Sequence, residues 1–94
     1  MAVAATPGEE QPITLATTVT QITGTSSCRR LIIYETTVDL YLVTKAVADG
    51  AALPSTGRPK VCLSTERLIE IDISGRGFIG LAGTGAGTAR VEFI

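Results

Sequence analysis

The sequence predicts an all-β protein, a single small β-sandwich or jelly-roll-like barrel of seven to eight short antiparallel strands. Three observations lead to this class. The β-branched residues Ile, Val and Thr supply 30 of the 94 residues, and such side chains favour strands. Ten Gly and four Pro divide the chain into short segments. Apolar residues alternate with a period of two, and no segment has the period of a helix.

The chain is predicted to hold one domain at residues 13–94, preceded by an extended or flexible N-terminal arm at residues 1–12. The arm (MAVAATPGEEQP) is small and polar and lacks periodicity. Two interpretations remain open for it: a disordered terminus, or an arm that becomes ordered against a partner. It has no basic region before an apolar stretch and carries Glu9 and Glu10, so we do not expect a signal peptide.

The first half of the domain is predicted to contain three strands. Residues 13–21 form a long, Thr-rich strand with apolar side chains on one parity. Residues 29–35 (RRLIIYE) include a continuous apolar run, which is typical of a strand buried on both faces. Residues 38–44 alternate again, and the short break before them predicts a tight hairpin with the preceding strand.

The second half is predicted to begin with a long loop at residues 45–59, which carries one short edge strand, and a strand at 60–64. Residues 67–74 show the clearest alternation, with Ile69, Ile71 and Ile73 inward and Glu70 and Asp72 outward. Strands at 78–82 and 89–94 complete the domain. The glycine-rich segment 83–87 is expected to join them as a flexible hairpin tip.

Two cysteines, Cys28 and Cys62, fall in or near predicted strands. We expect both to be buried and reduced, acting as small apolar side chains. A disulfide between them is the alternative, since sequence does not show whether their Cα atoms lie within about 7 Å of each other.

Glycine motifs in the last third of the chain do not predict a nucleotide site. Residues 75–80 match G-x-G-x-x-G, but a dinucleotide site needs a following helix and an acidic residue roughly 20 positions on. The chain ends before that position. The glycines of segment 83–87 resemble a phosphate-binding nest, yet no Lys-Ser/Thr pair follows. A turn is the better interpretation, and a contact with another subunit remains open.

The residue chemistry predicts neither an enzyme nor a cofactor or metal site. The chain contains no His, so neither a Ser-His-Asp triad nor a His-activated cysteine can form within it. Glu70 and Asp72 share a strand face without an obvious partner across it, and a solvated face is preferred to a paired-carboxylate glycosidase site. A net charge of −1 argues against nucleic acid, and no apolar stretch reaches the roughly 18 residues of a membrane span.

Several short motifs follow one another in a fixed order along the chain. They begin with Val-Thr-Gln-Ile at 19–22, Arg-Leu-Ile-Ile at 30–33 and Leu-Tyr-Leu at 40–42. They continue with Gly50-x-x-Leu53-Pro, Leu-Ile-Glu-Ile at 68–71, and the closing Phe-Ile-Gly-Leu-Ala-Gly-Thr-Gly and Ala-Arg-Val-Glu segments. This order resembles a class of small structural proteins encoded among the head genes of tailed bacteriophages. The sequence departs from the pattern in the loop at 51–59, and the arm does not align. In that class a β-sandwich or jelly roll decorates the capsid as a cement protein, or forms the base of a head fibre.

The resemblance implies a structural virion protein that is made in the host cytoplasm and binds the major capsid protein at junctions between capsid subunits. A homotrimer is favoured, with no nucleic acid or membrane partner and no catalytic residues. The implied interface lies on the arm, the 48–58 loop and the glycine tip, with these candidate residues: Pro7, Glu9, Glu10, Pro12, Asp49, Leu53, Arg58, Gly83, Gly85 and Gly87.

Two other functions remain open. The first is another virion part, such as a connector or tail adaptor or a fibre-attachment domain. The second is a small carbohydrate-binding module, which would need an exposed aromatic platform. We expect the four aromatic side chains to be mostly buried in strands: Tyr34, Tyr41, Phe78 and Phe93.

Overall fold

The computed structural model describes residues 2–43, 48–52, 60–62, 65, 68–74 and 78–94. These residues form nine strands and no helix. The strands are β1 (Val3–Ala4), β2 (Glu10–Leu15), β3 (Thr20–Thr23), β4 (Arg30–Thr36), β5 (Leu40–Val43), β6 (Lys60–Cys62), β7 (Ile69–Asp72), β8 (Phe78–Gly83) and β9 (Gly87–Phe93). The all-β class is therefore confirmed. The described part contains no helix long and apolar enough to cross a membrane.

Two sheets pack against each other to form the sandwich. One has five strands in the order β1-β3-β8-β5-β6, and the other has four in the order β2-β9-β4-β7. Every pairing in the described residues is antiparallel except β1 with β3, which is parallel and departs from the predicted all-antiparallel pattern. The parallel pair arises because the chain crosses to the other sheet in β2 before it returns in β3.

Most of the segment predicted as an N-terminal arm belongs to the sandwich. The domain therefore does not begin at residue 13, as the sequence predicts, but includes earlier residues. Strand β1 lies within it, and Glu10, Gln11 and Pro12 pair with β9 as the first half of β2. Between the two strands, the Gly8 N–H donates to the Phe93 carbonyl at 2.8 Å. Backbone hydrogen bonds hold this segment, and the partly buried side chains of Val3 and Ala5 pack against the core.

The predicted long strand at residues 13–21 is two strands in different sheets. Strand β2 ends at Leu15, β3 begins at Thr20, and the chain crosses between the sheets in the interval. The alternation does not mark this break, because the buried residues Ile13, Leu15 and Val19 are all odd-numbered. One continuous strand would show the same single parity.

Two predicted hairpins are also wrong. Strands β4 and β5 lie in different sheets, and so do β8 and β9, so both connections cross the sandwich. At the first connection, Thr36 is buried and its hydroxyl donates to the Val38 carbonyl at 2.6 Å. A short connection can join two neighbouring strands of one sheet or two strands of opposite sheets. Alternation shows which side chains face inward, but it does not show which strand lies alongside.

The burial predicted for two strands agrees with the structure. In β4, Leu31 and Ile33 are fully buried and Ile32, between them on the opposite side, is 8 % exposed. In and after β7, the three isoleucines pack on or within the core while Glu70 and Asp72 are exposed. Cys28 is a buried free thiol, as expected, and the Cys62 side chain lies outside the described part.

The core lies between the two sheets and draws on both. Its buried members are Ile13, Leu15, Ile22, Cys28, Leu31, Ile33, Leu40, Leu42, Ile73, Ile79, Leu81, Ala89, Val91 and Phe93. No buried side-chain nitrogen or oxygen of the described residues lacks a hydrogen-bond partner. In this part of the chain, the apolar interior thus carries no unpaired polar side-chain atom.

Much of the predicted 45–59 loop lies outside the described residues, as does the glycine motif at 75–77. Within the loop, Ala52 forms an isolated antiparallel bridge with Thr18. The strand predicted at 60–64 is found as β6 over Lys60–Cys62.

Candidate protein-binding face

The solvent side of the four-stranded sheet carries seven charged side chains of the described residues. In β9, Val91 and Phe93 are buried in the core, so the alternate residues Arg90 and Glu92 face outward. The charged residues that face outward on the four strands, together with Ile32 and Tyr34, form what we call the outer face: Glu10, Arg30, Ile32, Tyr34, Glu35, Glu70, Asp72, Arg90 and Glu92.

A β-bulge in β4 places two consecutive side chains on this face. The register with β9 shifts between Ile33 and Glu35, so one extra residue is inserted in β4. Tyr34 then reaches Glu92, and Glu35 reaches Arg90. The bulge therefore adds both an aromatic ring and a carboxylate to the same region of the sheet.

Arg90 links three strands of the outer face. Its guanidinium lies 3.3 Å from the Glu10 carboxylate on β2 and 3.5 Å from the Glu35 carboxylate on β4. All three side chains are about half exposed. Exposed pairs of this kind contribute only about 0–1 kcal/mol each to stability, so their main effect is to hold the charged groups in place.

Tyr34 is half-buried and is held by Glu92. Its hydroxyl donates a hydrogen bond to the Glu92 Oε1 atom at 2.5 Å. This hydrogen bond raises the pKa of Tyr34 above its ordinary value of 10.0; desolvation and the negative charges of Glu92, Glu10 and Glu70 act in the same direction. The phenol thus lies in a region of negative potential.

The β4–β7 side of the outer face corrects one expectation. Glu70 does have a partner across the sheet, because Arg30 lies 3.5 Å from its carboxylate. Asp72 accepts hydrogen bonds from the Ser74 hydroxyl and, at 2.9 Å, from the Ser74 backbone N–H. The hydroxyl, followed by the N–H, lowers the pKa of Asp72. Both carboxylates are exposed, as expected for a solvated strand face.

An apolar side chain lies at the centre of this charged surface. Ile32 pairs in register with Glu92 on one side and Glu70 on the other. It is nevertheless only 8 % exposed. At the β7 side, Leu68 precedes the strand and is 60 % exposed. The face therefore combines a small apolar centre with charged surroundings.

The residues predicted for an interface are not brought together at one site. Pro7 and Glu9 are exposed before β2, while Glu10 and Pro12 lie within it. Of these, Glu10 belongs to the outer face, and Pro12 lies on the same side of the sheet, opposite Arg90. Asp49 accepts a hydrogen bond from the Gln21 backbone N–H at 2.9 Å, so its carboxylate helps to attach the 48–52 segment to β3. Leu53 and Arg58 lie outside the described residues.

Two of the three candidate glycines pack against their own chain. A methyl group on Gly83 would lie 2.8 Å from a Val38 methyl and 2.9 Å from the Gly85 carbonyl oxygen. One on Gly87 would lie 2.5 Å from the Thr37 hydroxyl. At Gly85 the same methyl would meet nothing within 4 Å. Close packing between the two crossing connections thus accounts for Gly83 and Gly87.

The aromatic residues are more exposed than expected. Tyr34 and Tyr41 are each partly exposed, whereas Phe93 is fully buried. The Phe78 side chain lies outside the described part. In the sequence, the alternation of Thr88, Arg90 and Glu92 indicates that Arg90 and Glu92 share a face. No sequence pattern indicates the bulge that adds Tyr34 to that face.

Two described clefts are open and polar. One is lined by Ser26, Ser27, Cys28, Arg29 and Ser74, and the adjacent one, at the margin of the outer face, by Arg29, Arg30, Glu70, Asp72 and Ser74. A third cleft has apolar as well as polar lining residues, among them Val3, Pro12, Ala16 and Asp49. No group of three or more His, Cys, Asp or Glu side chains in the described residues is placed to hold a metal ion.

The geometry therefore identifies a sheet face, rather than a cavity, as the candidate functional site. Comparison of the chain with protein-family models, curated proteins and solved structures finds no match.

Proposed function

We propose that this protein is a structural component of a tailed-bacteriophage head, which decorates the capsid exterior and stabilises it by binding at junctions between major capsid subunits. The motif resemblance in the strands and the terminal Gly-Thr and Arg-Val segments suggests this class. The observation that carries the proposal is the outer face, a sheet surface with fixed charges around a tyrosine.

Such a surface suits contact with another protein. Interfaces are enriched in Tyr and Arg, and their binding energy is concentrated in a few central side chains. Tyr34 and Arg90 are such residues, and both are held by neighbouring carboxylates. A rigid sheet also loses little conformational freedom on binding.

Symmetry would strengthen a contact of modest area. A capsid presents many equivalent junctions, and linked copies bind with an effective concentration that exceeds the affinity of one copy. We propose a trimer at three-fold or quasi-three-fold positions, in which each copy contacts a neighbouring capsid subunit.

The first test is binding to expanded heads that lack this protein. Purified protein is added at increasing concentration, the heads are sedimented, and the bound copies are counted. We expect saturation at a fixed number of copies per head and a higher temperature of head disruption. Absence of saturable binding at micromolar concentration would contradict the proposal. Unexpanded heads serve as the control and should bind fewer copies.

The native mass tests the proposed assembly. Light scattering on a sizing column should give about 29 kDa, three times the chain mass of 9.8 kDa. A ring of six or twelve copies would instead favour a connector or tail adaptor.

The carbohydrate-binding alternative has one observation in its favour, the partly exposed Tyr34 ring beside several carboxylates. Sugar sites commonly stack the ring on an aromatic face and bind hydroxyls through polar groups. A saturable change in Tyr34 fluorescence on glycan addition, lost in Tyr34→Leu, would support this function over capsid binding.

A further inference from the structure

We propose that the outer face is the docking surface for a protein partner whose contacting surface is rich in Lys and Arg. The proposed function enters only in naming that partner, the major capsid subunit. This placement differs from the arm, loop and tip interface that the motif resemblance implies.

The net negative charge of the outer face indicates which protein surfaces it attracts. Its described residues include five carboxylates (Glu10, Glu35, Glu70, Asp72, Glu92) and two guanidinium groups (Arg30, Arg90), and Arg29 lies at its margin near Asp72. The carboxylates still exceed the guanidinium groups by two when Arg29 is included. The whole chain has a net charge of only −1, so negative charge is concentrated on this face. Complementary potentials across an interface accelerate association and exclude partners of like charge. A basic protein surface is therefore attracted to the face.

The same charge argues against two other occupants. Nucleic acid presents phosphates, which the excess carboxylates repel. A second copy docked face to face would bring two surfaces of the same net sign together, and such contacts are unfavourable. A heterologous protein partner remains the occupant that fits.

A hydrogen bond and two ion pairs already restrict several side chains of the outer face. Tyr34 is held by Glu92, and Arg90 lies between Glu10 and Glu35. Ordering these side chains costs less at the moment of association because their freedom is already reduced. A carboxylate has about four lone-pair sites. Glu92 therefore retains acceptor capacity after it binds the Tyr34 hydroxyl, and an incoming guanidinium can use it.

Two variants with the same change in net charge test the location. The face variant is Glu10→Gln, Glu70→Gln and Glu92→Gln, which removes three negative charges with nearly constant side-chain shape. The control variant is Thr17→Lys, Thr18→Lys and Ser26→Lys, at exposed positions outside the outer face and outside the arm, loop and tip. Circular dichroism and thermal unfolding establish that both remain folded.

The first measurement uses deca-arginine as the probe and ¹⁵N chemical shifts as the readout. We expect perturbed amides on β2, β4, β7 and β9, about tenfold weaker binding in the face variant, and less than about twofold change in the control. Binding should weaken with salt, since the screening length falls from about 10 Å at 0.1 M to about 3 Å at 1 M. Equal binding by both variants, or shifts centred elsewhere, would overturn the proposal.

Heads provide the second measurement and separate the two proposals. If wild type and control bind heads and the face variant does not, both proposals are supported. If the face variant binds as tightly as wild type, the docking surface is wrong although the capsid function stands. If wild type does not bind heads but deca-arginine maps to the outer face, the capsid function fails and the basic-partner inference stands.

Discussion

The two faces of the four-stranded sheet are made from the same strands and differ completely in chemistry. On the inner face, Leu31, Val91 and Phe93 are fully buried. On the outer face, Arg90 and its two carboxylate partners are about half exposed. Burial of apolar surface contributes about 25 cal/mol per Å², whereas exposed ion pairs contribute about 0–1 kcal/mol. The inner face therefore supplies most of the stability of this sheet, and the ion pairs of the outer face add little to it.

The largest effect is expected from the inner face at Phe93. Phe93→Ala removes a fully buried ring from the core and should lower the free energy of unfolding by about 3–5 kcal/mol. The neighbouring Ile94 is 51 % exposed, so Ile94→Ala should cost less than about 1 kcal/mol. Urea denaturation measures both variants. A similar loss at the two positions would show that burial in the core does not determine the cost of truncation.

A smaller effect is expected where the two connections pack over the end of the sandwich. Gly83→Ala forces a methyl group against Val38 and the Gly85 carbonyl, and should cost about 1–3 kcal/mol. Gly85→Ala meets no atom within 4 Å and should stay within about 0.5 kcal/mol of wild type. Thermal unfolding of the pair tests this. Equal stability would show that Gly83 is not needed for close packing.

Substitutions on the outer face should change the ionisation of Tyr34 more than they change the free energy of unfolding. Absorbance of tyrosinate should show Tyr34 ionising above pH 10, because Glu92 accepts a hydrogen bond from the neutral phenol. Glu92→Gln should move that midpoint down, and Tyr34→Phe should remove it and so identify it.

The sign of the accompanying stability change follows from the raised pKa. When the folded-state pKa is higher than the unfolded one, the contribution of the phenol is fully present below the unfolded pKa, about 10. It is lost as pH rises through the folded-state pKa. Urea midpoints of wild type and Tyr34→Phe should therefore converge above pH 10. An unchanged Tyr34 midpoint in Glu92→Gln would show that this hydrogen bond does not control the titration.

Part of the candidate site was accessible from sequence. Alternation placed Glu70 and Asp72 outward on their strand, and Glu10 was among the candidate interface residues. The Arg90 contacts were not accessible, since they join residues from positions 10, 35 and 90. Tyr34 was expected to be buried because the β4 run looks uniformly apolar, and the bulge that turns it outward is a property of the pairing with β9.

The sequence by itself determined the β class, the inward isoleucines of β7 and the burial of both sides of β4. These follow from local composition and from the period of two, which each strand carries alone. Only the tertiary structure decided that β2 and β3 separate, that β4 pairs with β9 rather than β5, and that the 83–87 segment crosses between sheets. Neighbouring strands are chosen by the packing of the whole core, and alternation within one strand contains no information about its partner.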